Sequence, residues 1–314
     1  MGTTRGRLTL VGDIGGTNAR LALARDGALM PDSMARFAGD DHHCFDTLLR
    51  GYLDTQGNPA LAAACLAVAG PVAGDTARLT NRDWHISAAG LAATTGAARV
   101  RLINDLTALG FAAPGLRGDQ LTVLRAGGGA ASNGQALVLG AGTGVNLCAL
   151  RQQAGRITCL EAEAGHTALP AMVMAALPPA LQTGQHDAPT TLEDLFSGRG
   201  LARLHRGLTG HDLPPGAIAD AAAQPGPARD TLDLYVGLLG LLCRELALHY
   251  LPRDGIFLAG SVARNAARHI PAFENGFLAN PLLRQIPQAI PVFLIRDDMA
   301  ALAGCLTAIS DAAA

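Results

Sequence analysis

Two glycine turns, each directly after an apolar run, carry residue types suited to holding phosphate. The first is Asp13-Ile14-Gly15-Gly16-Thr17-Asn18, which follows LTLVG. Consecutive glycines let backbone N–H groups come close to an anion, and the Thr17 hydroxyl adds a donor. Asp13, at the end of the preceding strand, can bind magnesium through water, because that ion keeps several of its waters on a protein. The second turn is Gly140-Ala141-Gly142-Thr143-Gly144, which again combines a hydroxyl with glycines. An ordinary β-hairpin would account for either turn alone; two of matching type make a better case for a pair of phosphate clamps.

Asn104-Asp105 follows the short apolar run VRLI. A carboxylate there can take the proton of a hydroxyl whose oxygen attacks phosphorus. That base need not be strong, since phosphoryl transfer rests mainly on positioning and electrostatics. The plainer reading makes Asp105 the N-cap of a helix over 106–113. Glu163-Ala164-Gly165-His166 and the later Glu193 complete the set. Carboxylates accept paired hydrogen bonds from vicinal hydroxyls and imidazole can donate or accept, so these groups suit a polyol. The alternatives are a partly buried histidine with its own partners, and a glutamate that begins a helix over 191–196.

These side chains need strands to carry them. The patterning predicts strands over 8–12, 18–24, 62–69, 77–80 and 100–103, with helices over 44–55 and 87–95 and a third over 106–113. A second block starts the same way, with strands over 135–139 and 145–151 flanking the second glycine turn, a faint internal repeat of the first hairpin. Helical pattern dominates 170–251, with Pro/Gly-rich loops at 178–189, 209–216 and 224–227 and a long apolar helix over 231–251. A strand over 255–259 ends at Gly260-Ser261 and leads into a helix; a strand over 291–295 and a helix over 299–309 close the chain. Strands alternating with helices predict an α/β fold with parallel pairing, and loops at strand ends are where such sheets bind ligands.

Composition narrows the chemistry. The 314 residues suggest two domains, and 49% apolar against 16% charged residues is ample for their cores. A net charge of −2 argues against a nucleic-acid surface. All 24 basic residues are arginine. The absence of lysine excludes a Walker-type phosphate loop, a Schiff-base lysine and a protein-kinase strand lysine. Phosphates must then be held by backbone N–H groups, hydroxyls, arginine and a metal. Six scattered cysteines form no Cys-x-x-Cys pair, which argues against a zinc cluster. The short polar start and the lack of a membrane-length apolar run predict a soluble, cytoplasmic protein without membrane contact.

In VGDIGGTNARLAL, LINDLTALGFA and LGAGTGVNLCAL the chain resembles the bacterial glucokinases, hexokinase-like sugar kinases of the actin-like ATPase superfamily. CLAVAGPVAGDTARLTNRDW, EAEAGHTALP, EDLFSGRGLARLHR and GIFLAGSVARN extend the likeness, in the expected order, over nearly the whole chain. The resemblance implies a two-domain actin/hexokinase-like (ribonuclease H-like) α/β fold. Residues 1–106 plus 299–314 would form the small domain and 107–298 the large one, with a cleft between them that closes on sugar. It implies that Asp105 is the base for the sugar 6-hydroxyl, and that Asn104, Glu163, His166 and Glu193 hold the other hydroxyls. Gly15, Gly16, Thr17 and Asn18 with Gly142, Thr143 and Gly144 would surround the phosphates of ATP, Gly260 would lie near the adenosine, and Asp13 would orient Mg2+. A homodimer is also implied.

The chain departs from the family pattern in places. Ser261 stands where a second glycine is usual, and Ala164 replaces the first glycine of Glu-Gly-Gly-His. Glu161 would share a face with Glu163 if both lay on one strand, which makes it the alternative hydroxyl ligand. The cysteine cluster of the related repressor/kinase family is missing, which favours the zinc-free branch. The competing readings are a kinase for mannose or an N-acetylhexosamine, and a non-catalytic sugar sensor. Only seven residues precede Leu8, too few for the DNA-binding domain such a repressor carries.

Overall fold

The computed structural model describes residues 7–79, 82–129, 131–182 and 188–311. The first six residues of the polar N-terminal segment lie outside them. So do Thr80 and Asn81 of the 65–84 motif, part of the 178–189 loop and the last three residues. The chain divides into two compact units. One is Met1–Leu116 with Arg156–Cys159 and Asp298–Ala314; the other is Arg117–Gly155 with Leu160–Asp297.

In the first unit, β1 (Leu8–Ile14) and β2 (Asn18–Arg25) form an antiparallel hairpin across the first glycine turn. On its other edge β1 pairs in parallel with β3 (Ala63–Val68), which pairs in parallel with β4 (Arg99–Asn104). Every residue of β3 is buried, as expected of a central parallel strand covered on both faces. One face carries Leu10, Leu21, Leu66, Leu48 and Tyr52, the last two from α1 (Phe45–Thr55). The other carries Val11, Cys65 and Ile103 against α2 (Asp105–Ala112) and a returning C-terminal helix, Ala300–Asp311. These two helices pack so closely that a Cβ on Gly304 would lie 1.8 Å from the Ala108 carbonyl oxygen. Glycine at 304 is therefore what seats α2, the helix that begins at Asp105.

The second unit repeats the arrangement. Strands β5 (Gln135–Ala141) and β6 (Val145–Gln153) form a hairpin, and β5 pairs in parallel with β7 (Ile256–Ala259), which pairs in parallel with a last strand, Val292–Ile295. Three residues lie between the strands in each hairpin, Gly15–Thr17 in one and Gly142–Gly144 in the other, but the registers differ: Ile14 faces Ala19 in the first and Ala141 faces Val145 in the second. Over this sheet lies α3 (Pro227–Tyr250), which buries Leu232, Tyr235, Leu239 and Leu242.

Several expected elements differ. The strand expected over 77–80 is Thr76–Arg78, with Thr80 outside the described residues. Strands Ala35–Ala38, Leu121–Arg125 and Arg156–Glu161 went unpredicted. The helix expected after Gly260-Ser261 is a 3-10 stretch, Ala263–Arg268, before a true helix, Ile270–Phe277. The strand through Glu161 ends there, and Glu163 caps a 3-10 turn, Ala164–His166, so the two glutamates do not share a strand face.

Candidate active site

In the first unit the candidate residues gather at the carboxyl ends of parallel strands, where α/β sheets open to ligands. The register aligns Ile14 with Val68 and Val68 with Asn104, so Asp13, the Gly15–Thr17 turn, Gly70 and Asn104-Asp105 share one sheet edge.

The helix N-cap there is Asn104, not Asp105. Asn104 Oδ1 accepts the Leu106 N–H at 2.9 Å, and its Nδ2 donates to the Gly70 carbonyl at 3.2 Å. The capping preference read at this sequence is real but belongs one residue earlier. Asp105, the first helical residue, accepts the same Leu106 N–H at 3.0 Å through Oδ1. Burial, and next the negative charge of Asp13, push its carboxyl up to about 7 from the usual carboxylate range, despite the Leu106 and Asn104 hydrogen bonds. A carboxylate so placed exchanges protons near neutrality.

Asp13 is itself held by Arg20, whose Nη1 donates to Oδ2 at 2.9 Å. Burial raises its carboxyl above the ordinary range against the pull of Arg20, and the charge of Asp298 adds to the rise. Mutually repelling carboxylates with a single arginine among them suit a divalent cation. Among the described residues no group of three or more His, Cys, Asp or Glu side chains is placed to hold a metal ion. In the turn, Gly15 N–H donates to the Asn18 carbonyl at 2.9 Å, while among the described residues the Thr17 hydroxyl and the Gly16 and Thr17 N–H groups have no protein partner.

In the second unit, the start of β6 gathers the remaining candidates. Glu193, near the start of the helix Leu192–Phe196 capped by Thr191, accepts the Val145 N–H at 3.2 Å through Oε2 and Arg199 Nη2 at 2.8 Å through Oε1. Asn146 accepts the Ala164 N–H at 3.0 Å and reaches Glu163 Oε2 at 3.4 Å through its Nδ2. Glu163 and His166 are exposed. A Cβ on Gly165 would lie 2.1 Å from the Val145 carbonyl oxygen, so the 3-10 turn sits directly on β6.

The turn Gly142–Gly144 lies beside Gly260-Ser261, at the paired ends of β5 and β7, where Gly140 aligns with Ala259. Gly260 has φ +99°, and a Cβ there would meet the Ala141 carbonyl oxygen at 2.4 Å, which requires glycine. The Gly198 N–H, at the start of the helix Gly198–Thr209, donates to the Gly142 carbonyl at 2.8 Å. Ser261 is exposed.

The sequence reading missed Arg20, Asn146 and Arg199, which touch candidate residues without belonging to any catalytic pattern. Arg20 faces Asp13 because the hairpin turns through Gly16-Thr17, with Gly15 opposite Asn18.

The sequence model of the glucokinase family matches residues 10–312. A glucokinase of Psychromonas ingrahamii is 31% identical over 320 residues, covering 95% of each chain. Among solved structures, a glucokinase from an Antarctic psychrotroph superposes with a TM-score of 0.84 at 29% identity, over 97% of this chain and 99% of that one. A glucokinase of Balamuthia mandrillaris, solved with glucose, gives 0.77 at 21% identity, over 97% and 94%, a likeness of fold.

Proposed function

Because the chain belongs to the glucokinase family, we propose that Asp105 is the base through which this ATP-dependent glucose kinase makes glucose 6-phosphate. The observation that carries the assignment is the Asp105 carboxyl just past the carboxyl end of β4, beside the ends of β1 and β3, its proton affinity lifted to about 7. In this reading Asp105 accepts the 6-hydroxyl proton as that oxygen attacks the γ-phosphorus of ATP and ADP leaves. Asn104, fixed by Gly70 and Leu106, keeps an amide beside the reacting hydroxyl.

Glu163, His166 and Glu193 take the other sugar hydroxyls, with Glu193 steadied by Val145 and Arg199. The N–H groups and hydroxyls of Gly16-Thr17 and Thr143-Gly144 bind phosphate oxygens, and Gly260 leaves room for the adenosine. Asp13 would help to hold Mg2+, which would supply positive charge to the phosphates. The same reading assigns the enzyme to the cytoplasm, as a homodimer that sedimentation would reveal. No helix among the described residues is long and apolar enough to cross a membrane.

The experiment is ADP release from purified protein with Mg-ATP across glucose, mannose, fructose and N-acetylglucosamine. Turnover that prefers glucose and disappears with EDTA or in Asp105→Ala supports the assignment. Preference for another hexose would change the substrate, and a fully active Asp105→Ala would remove the base.

A further inference from the structure

The first phosphate turn is gripped by a side chain from far along the chain. Arg82 Nε donates to the Gly16 carbonyl at 3.0 Å across 66 positions. Its Nη1 and Nη2 donate to the Gly39 carbonyl and the Asp40 carboxylate, and its guanidinium lies over the Trp84 ring at 5.1 Å. Gly39 in turn donates its N–H to the Thr17 carbonyl at 2.8 Å. Both carbonyls at the end of the turn are therefore taken, one by Arg82 and the other by the residue Arg82 holds.

In a planar trans peptide the C=O and N–H point in opposite directions. Fixing the Gly16 carbonyl on Arg82 therefore turns the Thr17 N–H the other way, and that N–H is one of the donors left without a protein partner among the described residues. The arginine is largely covered, with 17% of its side chain exposed, and its fork is already engaged with three acceptors. It thus acts through the turn. A lysine could not span three acceptors set at these angles. Glycine at 39 is part of the device, since a Cβ there would lie 2.8 Å from the guanidinium carbon.

We propose that Arg82 is a positioning residue for the nucleotide, aiming the N–H groups of the Gly15–Thr17 turn at the phosphates of ATP. The inference rests on the reading of that turn as a phosphate site. Its test measures ADP binding by calorimetry, both KM values and Tm for Arg82→Lys, Gly39→Ala and, as a probe of the turn itself, Thr17→Val. Arg82→Lys removes the fork, and Gly39→Ala displaces it while leaving Arg82 in place. Both are expected to raise the ADP dissociation constant and the KM for ATP about tenfold, with the KM for glucose within about twofold and Tm nearly unchanged. If Thr17→Val weakens ADP binding while the other two bind as the parent does, the role of Arg82 is overturned and the phosphate turn stands. If all three bind normally, both fall. If both KM values rise together with a drop in Tm, Arg82 is only a brace for the fold, and the inference fails.

Discussion

Asp13 and Arg20 stand opposite each other in the register of the first hairpin, and the guanidinium donates to the carboxylate at 2.9 Å. The pair is only partly exposed, 21% for the arginine side chain and 17% for the aspartate. It stabilises a negative charge that in turn raises the proton affinity of Asp105. Removing Arg20 would leave a mostly covered carboxylate without its partner, the costly way to break an ion pair. Arg20→Met is expected to lose about 1–3 kcal/mol of stability in urea melts. The double variant Asp13→Asn/Arg20→Met should recover most of that loss. A double variant no better than Arg20→Met would show that packing of the arginine stem, not its charge, is what matters.

If Asp105 is the base, as proposed, its raised carboxyl sets the pH dependence of turnover. Only the ionised form can accept the sugar proton, so kcat/KM for glucose should fall tenfold per unit as pH drops below about 7. Asp105→Asn keeps the shape but cannot take a proton, and is expected to lower kcat on the order of 10²–10⁴-fold. Binding of glucose, followed by intrinsic fluorescence, should survive in that variant. A parental profile flat down to pH 5 would assign the base elsewhere.

The same group has the opposite effect on stability. Its folded value, about 7, lies above the ordinary 3.8, so the fold favours the protonated form. That contribution is fully present below about pH 4 and is lost as pH rises through about 7. Asp105→Asn removes the need to bury a charge, so its Tm should exceed the parent's at pH 8, and the gap should close near pH 4. Equal melting temperatures at both pH values would mean that the carboxylate is well solvated in the folded protein.

The turns and strand ends that carry the candidate residues were more legible in the sequence than the side chains that support them. Strand ends and glycine turns were legible because a glycine-rich turn between two apolar runs marks a hairpin. The closing helix over 299–309 was read from the patterning and its return to the small domain from the resemblance; Gly304 explains its seat. The N-cap was misplaced by one residue because Asn and Asp cap equally well, and only the Asn104 amide on Gly70 decides between them. Arg82 was invisible for a different reason. Its grip on Gly16 joins positions 66 apart, and nothing local at Arg82 foretells it. The strand Arg156–Glu161 is mostly exposed, so it lacks the alternation that marks a half-buried strand.

Gly165 and Ala164 give a contrasting pair within the 3-10 turn. A Cβ at 165 would lie 2.1 Å from the Val145 carbonyl oxygen, a backbone atom of β6 that cannot turn aside. Gly165→Ala must therefore push the whole turn away from the strand, carrying Glu163 and His166 with it. Position 164 already holds an alanine, packed against the core of the second unit. Restoring glycine there with Ala164→Gly removes one methyl and leaves Glu163 tied through the backbone N–H that Asn146 accepts. Gly165→Ala is expected to raise the KM for glucose about tenfold or more and to lower stability by about 1–3 kcal/mol. Ala164→Gly should leave the KM within about twofold and cost under about 1 kcal/mol. Steady-state kinetics with glucose and with ATP varied in turn separate the outcomes. A Gly165→Ala enzyme with an unchanged KM for glucose would show that Glu163 and His166 do not hold the sugar.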